Sequence, residues 1–425
     1  MTRSDSGTKA STATRTAPPI DGSAFVSSDS ALAETPAQPA ISTTTTSSNA
    51  HASNPHSKSH PAGSDPSGKT PSHGSLYKSS YSAAIERNQI HISRLLLTAF
   101  YVVHVLYTPA TPYTSKFIHL QYPTGEVNPV DGGLLYDIGH DDVYFIIFWV
   151  VTLTFLRSAL MSYCFKPLAT HVCKIHSNKA ITRFAEQGWA NFYYMCSFAL
   201  GVYLYVGSPY FMSLDHLFVG WPHYQLTALF KKYYLISIAF WVQQFFVLNI
   251  EERRKDHYQM FSHHIITFAL VVGSYYYYFT RIGHAILMIM DSVDIFLVTA
   301  KMLKYSGFTR ACDVMFILFL GSWIILRHGV YNVLFYHTWR HSQDLMVGTE
   351  CQAGVEMKRC WTPFIMNVFK ALLGGLQILT MVWMYFILKV AYKVIMGKGA
   401  EDVRSDEDDT EEEHDEKEEE VDEED

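Results

Sequence analysis

Eight stretches of mostly apolar residues lie at about 92–111, 143–165, 188–207, 233–250, 258–279, 283–304, 312–336 and 364–392. About 20 such residues are what a helix needs to cross the hydrocarbon core of a bilayer. In that solvent each backbone N–H and C=O must be satisfied within its own segment, so the runs fold as helices. The chain is therefore expected to be an all-α, polytopic membrane protein with about eight transmembrane helices. The fifth and sixth runs are separated only by Thr280 to Ile282, which predicts a tight hairpin.

Basic residues predict the orientation. With both ends cytosolic, the cytosolic side receives 17 Lys and Arg near span ends and the opposite side 7, the bias that cytoplasmic loops carry. The two ends differ from the middle. Residues 1–80 are Ser, Thr, Pro, Ala and His with few large apolar side chains, too few to offset the entropy of ordering, so a disordered cytosolic segment is expected. Residues 401–425 hold 18 acids against Arg404 and Lys417, a net charge of -16; the whole chain is -7, which leaves +9 for the rest. The stretch 397–425 reads as a solvated, self-repelling acidic tail. Ser405 and Thr410 sit directly before acidic runs, and phosphate there would add to the repulsion. Between the ends, 85–165 reads as two spans with a lumenal loop and 170–395 as the core unit. Six cysteines are too few for a disulfide scaffold. Cys351 and Cys360 share one short polar loop and could pair if that loop is lumenal.

Several polar groups interrupt the apolar runs: Arg157, Gln243, Gln244, Asp291, Asp294, Arg327, His328, Asn332, Asn367, Lys370 and Gln377. Facing lipid they are costly, so they are expected to line a chamber enclosed by helices. The hairpin carries the densest set. Its first arm holds His263 and His264, and its second holds Asp291 and Asp294 on one helix face. A rise of ~1.5 Å per residue puts the histidines about 8–9 Å from the cytosolic face. In a core about 30 Å thick, the same arithmetic puts Asp294 about 14 Å and Asp291 about 18 Å from that face. The two pairs thus sit at neighbouring depths.

Two chemistries suit such a set. Two His and two Asp suit a divalent metal, but a di-iron hydroxylase needs several histidine clusters and only one lies within a span; His337 and His341 are expected in a loop on the far side. The other chemistry is acyl transfer. A neutral imidazole held by a carboxylate is a nucleophile or general base, and no G-x-S-x-G elbow competes with it. The aromatic run Tyr275–Phe279 reads as an interfacial belt. Arg253, Arg254, Lys255, Lys304 and Arg310 are the basic residues nearest the cytosolic mouth, suited to phosphate.

The string F-x-H-H-I-I-T at 261–267, R-I-G at 281–283, M-D-S-V-D-I-F at 290–296 and L-x-x-A-K-x-x-x-Y at 297–305 resemble the signature region of ceramide synthases, the longevity-assurance branch of the TLC-domain proteins. Thr154–Arg157, Arg183–Gln187, Trp241–Gln244, Arg254–Asp256 and Leu326–His328 are also similar to that family. The chain looks most like a fungal member. The resemblance implies a six-helix TLC barrel around an elongated cavity. It implies transfer from fatty acyl-CoA, a substrate rather than a cofactor, to a long-chain base in the endoplasmic reticulum, with no metal and no nucleic acid involved. It implies essential His263, His264, Asp291 and Asp294, a small single-pass accessory subunit and a dimer. Arg327 and His328 join the basic residues as candidate substrate contacts. The competing classes are a non-catalytic TLC lipid sensor or translocon-associated protein, and a metal-dependent membrane lipid hydroxylase.

Overall fold

The computed structural model describes residues 73–129, 132–250, 257–352, 354 and 356–396. The expected disordered start up to position 72, the acidic tail with Ser405 and Thr410, and the basic triplet Arg253, Arg254 and Lys255 lie outside the described residues.

The helices follow the apolar runs. They are α1 (His73–Leu106), α2 (Thr111–Ile118), α3 (Asp142–Leu160), α4 (Asn178–Val206), α5 (Ala228–Ile250), α6 (His257–Tyr276), α7 (Thr280–Tyr305), α8 (Thr309–Ser322), α9 (Tyr331–Leu345) and α10 (Pro363–Ile395). α3 continues through π-helical turns to Val172, and a π-helical stretch, Trp323–Val330, joins α8 to α9 without a break. Among the described residues, five stretches are long and apolar enough to cross a membrane: Asn88–Leu106, Asp142–Val172, Ala228–Ile250, Thr309–Leu345 and Pro363–Val394. The protein is a multi-pass membrane protein. α4, α6 and α7 are also long but carry more polar side chains, including the His and Asp pairs.

The helices pack as a series of neighbours that returns on itself. α4 lies on α5, α5 on α6, and α6 on α10; α10 meets the π stretch and α9, α8 lies on α7, and α7 lies along α4. α3 covers α5 from outside, with α1 beyond it. Aromatic rings fill the contacts, as where Tyr193 of α4 stacks flat on Phe240 of α5.

The loops 107–141, 207–227, 277–279 and 346–362 gather at one end. Strands β1 (Pro123–Val127), β2 (Leu134–Tyr136) and β3 (Leu226–Thr227) form a small antiparallel sheet there, in the order β1-β2-β3. It ties the loop before α3 to the loop before α5. Lys231 is wholly buried and pairs with Asp142 at 2.8 Å, while its ammonium also donates to the carbonyls of Gln121 and Asp137. Tyr275 donates to Asp142 at 2.8 Å and Tyr278 to Asp137 at 2.6 Å. Lys358 pairs with the same Asp137. Burial alone would raise that carboxyl, but hydrogen bonds from Lys358, Tyr278 and the Ile138 amide hold it below the usual carboxylate range. The Trp221 indole N–H reaches the Tyr277 carbonyl. Cys351 and Cys360 are joined in a disulfide within this cap.

Two expectations are corrected. Tyr275, Tyr278 and Phe279 are buried pins rather than an interfacial belt, because their hydroxyls and faces are needed by the cap. His337 and His341 lie on α9, not in a loop, since α9 runs on to Leu345. The apolar run ends near position 336 but no Pro or Gly stops the helix, and Thr338 and Ser342 bond back to carbonyls one turn earlier.

Candidate active site

α6 presents His263 and His264 two turns from its start at His257. The two side chains diverge, as adjacent helical positions must. His264 is buried, with Nδ1 2.7 Å from the Met260 carbonyl. A carbonyl only accepts, so the neutral ring carries its proton on Nδ1 and keeps a lone pair on Nε2. His263 has the Thr267 hydroxyl 3.4 Å from its Nδ1, and its ring meets those of Trp241 and Trp383 edge to face at 5.6 and 5.1 Å.

On α7, Asp291 and Asp294 take different partners. Asp291 is buried and accepts from Ser197 of α4 at 2.6 Å. Asp294 is paired with Arg327 of the π stretch at 2.7 Å. The same guanidinium nitrogen donates to the Met290 carbonyl, and Arg327 lies 4.2 Å over the ring of Trp323. The Trp323 indole donates to His328 Nε2, and Gln377 of α10 lies 3.0 Å from His328 Nδ1. Thus among the described residues neither imidazole takes a carboxylate partner directly; Asp291 and Asp294 are each held by another residue. π-helical turns concentrate at functional sites, and here the extra residue per turn sets Arg327 against α7.

Two cavities meet at this point. One is narrow and almost wholly apolar and runs from His263 past Leu270, Ile286 and Leu373 to Phe218 and Met366 under the cap. The other, wider, opens toward the end of the bundle away from the cap and carries Arg157, Glu186, Gln187, Gln244, His257, Lys301 and His264. Trp241, His263, Asp294 and Arg327 line both. Asp291 stands behind this waist and touches neither cavity. Lys304 and Arg310 lie beyond the lining, at the end of α7 and the start of α8, whereas Lys301, one turn earlier, reaches it. Among the described residues no three His, Cys, Asp or Glu side chains gather closely enough to hold a metal ion.

Residues 183–389 match the TLC domain. A sphingosine N-acyltransferase of Schizosaccharomyces pombe is 40% identical over 297 residues, which cover 70% of this chain and 74% of that protein. The chain belongs to the ceramide synthase family. A sphingosine N-acyltransferase-like protein of Alternaria alternata is 40% identical over 301 residues, 65% of this chain and 69% of that protein. A ceramide synthase of Saccharomyces cerevisiae is 32% identical over 287 residues, 66% of this chain and 67% of that protein. The matched TLC region opens within α4, so α1, α2 and α3 stand outside it. Sequence reasoning missed Thr267, Trp383, Trp323 and Ser197 as neighbours of the two pairs. Apolar context hid the tryptophans, which have no charged residue next to them in sequence to single them out.

Proposed function

We propose that this chain acylates the amine of a sphingoid base with the acyl group of a fatty acyl-CoA, giving a ceramide and free CoA. The observation that carries the reading is the waist: His263 stands where a cavity with the apolar lining a hydrocarbon chain needs meets one with charged and polar side chains suited to CoA and an aminodiol. His263 Nε2 attacks the thioester carbon and the C–S bond breaks, leaving an acyl-imidazolium and CoA thiolate. The amine then attacks the acyl carbon and the bond from that carbon to His263 Nε2 breaks, freeing the imidazole; His264 Nε2 takes the amine's proton, which then goes to the thiolate. Asp294, steadied by Arg327, lies beside the cation formed on His263; Asp291 supports the site through Ser197. Dihydrosphingosine or phytosphingosine, with very-long-chain acyl groups, is the substrate pair. No metal or other cofactor takes part in this scheme.

The protein on this reading resides in the endoplasmic reticulum with eight crossings, α4 to α10 forming a six-helix barrel, and both termini cytosolic. A disulfide persists in an oxidising compartment, which supports a lumenal place for the cap bearing Cys351 and Cys360. A single-pass accessory subunit and a dimer complete the assembly. The reading is tested by ceramide formation in microsomes free of background enzyme. His263→Ala is expected to lower the rate at least about a hundredfold, and Asp294→Ala comparably. Unchanged synthesis in both would favour a non-catalytic lipid-binding role.

A further inference from the structure

Two buried N–H groups beside His263 are left without an acceptor. The Trp383 indole N–H and the Arg327 Nε–H have no hydrogen-bond partner among the described residues. Both side chains are at least nine-tenths buried, at 6% and 5% exposure. Arg327 spends its other contacts on Asp294 and the Met290 carbonyl. Trp383 is packed edge-on against His263 on one side and near Trp323 on the other, so its ring is held in place. Both residues line the polar cavity together with His263 and Asp294. A buried donor without a partner is costly, and folded proteins rarely keep one. These two belong to residues that line one cavity with the candidate nucleophile, where a bound substrate can bring an acceptor.

We propose that Trp383, with Arg327, donates to the thioester oxygen as it becomes an oxyanion. The inference rests on the acyl-transfer reading above. When His263 Nε2 bonds to the carbonyl carbon, the π pair moves to oxygen and the negative charge appears there. The two N–H groups donate to that oxygen, and donors held near a developing charge lower a barrier. When the C–S bond breaks, the pair returns from oxygen to carbon and the donors are released for the second addition, by the amine. Trp383 is thus a catalytic residue that no motif marks.

The test uses the full chain in detergent or microsomes. Replacing Trp383 by benzothienylalanine keeps the ring shape and exchanges N–H for sulfur; Trp383→Phe is the simpler companion. The expected result for the isostere is a kcat about a hundredfold lower, with little change in affinity for a thioether analogue of acyl-CoA, which has no carbonyl oxygen to bind. An isostere with wild-type kcat overturns the proposal. So does one in which analogue affinity falls in step with kcat, because that outcome marks Trp383 as packing only. If Trp383→Phe does not fold, the isostere alone decides. A wild-type protein that makes no ceramide with its full assembly present overturns the reading of function itself, and this inference with it.

Discussion

A methyl group at position 283 would overlap the Tyr234 hydroxyl and stand 2.8 Å from Ser274 Oγ. The glycine of the R-I-G string is thus explained by close approach: α7 leaves the hairpin turn against a fully buried Tyr234–Ser274 hydrogen bond. Gly283→Ala is expected to cost about 1–3 kcal/mol, the usual range for overpacking a filled core, read as a lower melting temperature in detergent. Variants that enlarge Gly321, which has nothing within 4 Å of an added Cβ, are expected to melt as the wild type does. The comparison separates a packing constraint from a general intolerance of side chains in these helices. At this scale the sequence was legible where a residue type was out of place in an apolar run. His263, Asp294 and Arg327 announce themselves as polar groups in lipid-length segments. Trp383, a large apolar ring in an apolar helix, carries no such mark.

Helices rather than single groups decide whether the cap holds. The ammonium of Lys231, from the first turn of α5, reaches into the cap and meets the Asp142 carboxylate at the start of α3, with side-chain exposures of 0% and 3%. Such a pair adds little over apolar packing, yet breaking it leaves a buried charge. Lys231→Met is therefore expected to destabilise by about 3–5 kcal/mol, and Asp142→Asn in the same chain to restore part of the loss, both read from unfolding midpoints. From sequence, Lys231 counted only as one of the basic residues on the lumenal side, because its partner lies 89 positions earlier and no local spacing connects them. Element ends were hidden for a related reason. Hydropathy reports where a chain can meet lipid, whereas α8, the π stretch and α9 continue as one helix to Leu345, where the side chains turn polar.

The two ends of the molecule differ in chemistry as well as in position. Around the cap, burial pushes His223 down to about 4, with the Arg281 charge adding to the effect. Its unfolded value is about 6.5, so the unfolded chain takes up the proton first. Stability from this residue is complete above about 6.5, falls as the pH drops, and is fully lost once the pH passes below the folded value. Wild type is expected to lose more of its melting temperature between pH 7.5 and pH 4.5 than His223→Gln does; equal losses would remove His223 as the cause. The helical, membrane-spanning character and the tight hairpin between α6 and α7 could be read from the chain, because burial in lipid allows few alternatives. The sheet in the cap could not, since its strands are short, glycine-flanked and joined across the first and second loops.

The waist draws Trp241 from α5, His263 from α6, Asp294 from α7 and Arg327 from the π stretch beyond α8. These four positions are spread over nearly ninety consecutive residues, and the guanidinium is the last of them to be synthesised. A nascent polypeptide halted before it would possess its imidazoles and its acids with no counter-cation to fix them. The buried ion pair therefore forms late in biogenesis, when the penultimate membrane segment is laid against its predecessors, and the walls that α10 supplies come later still.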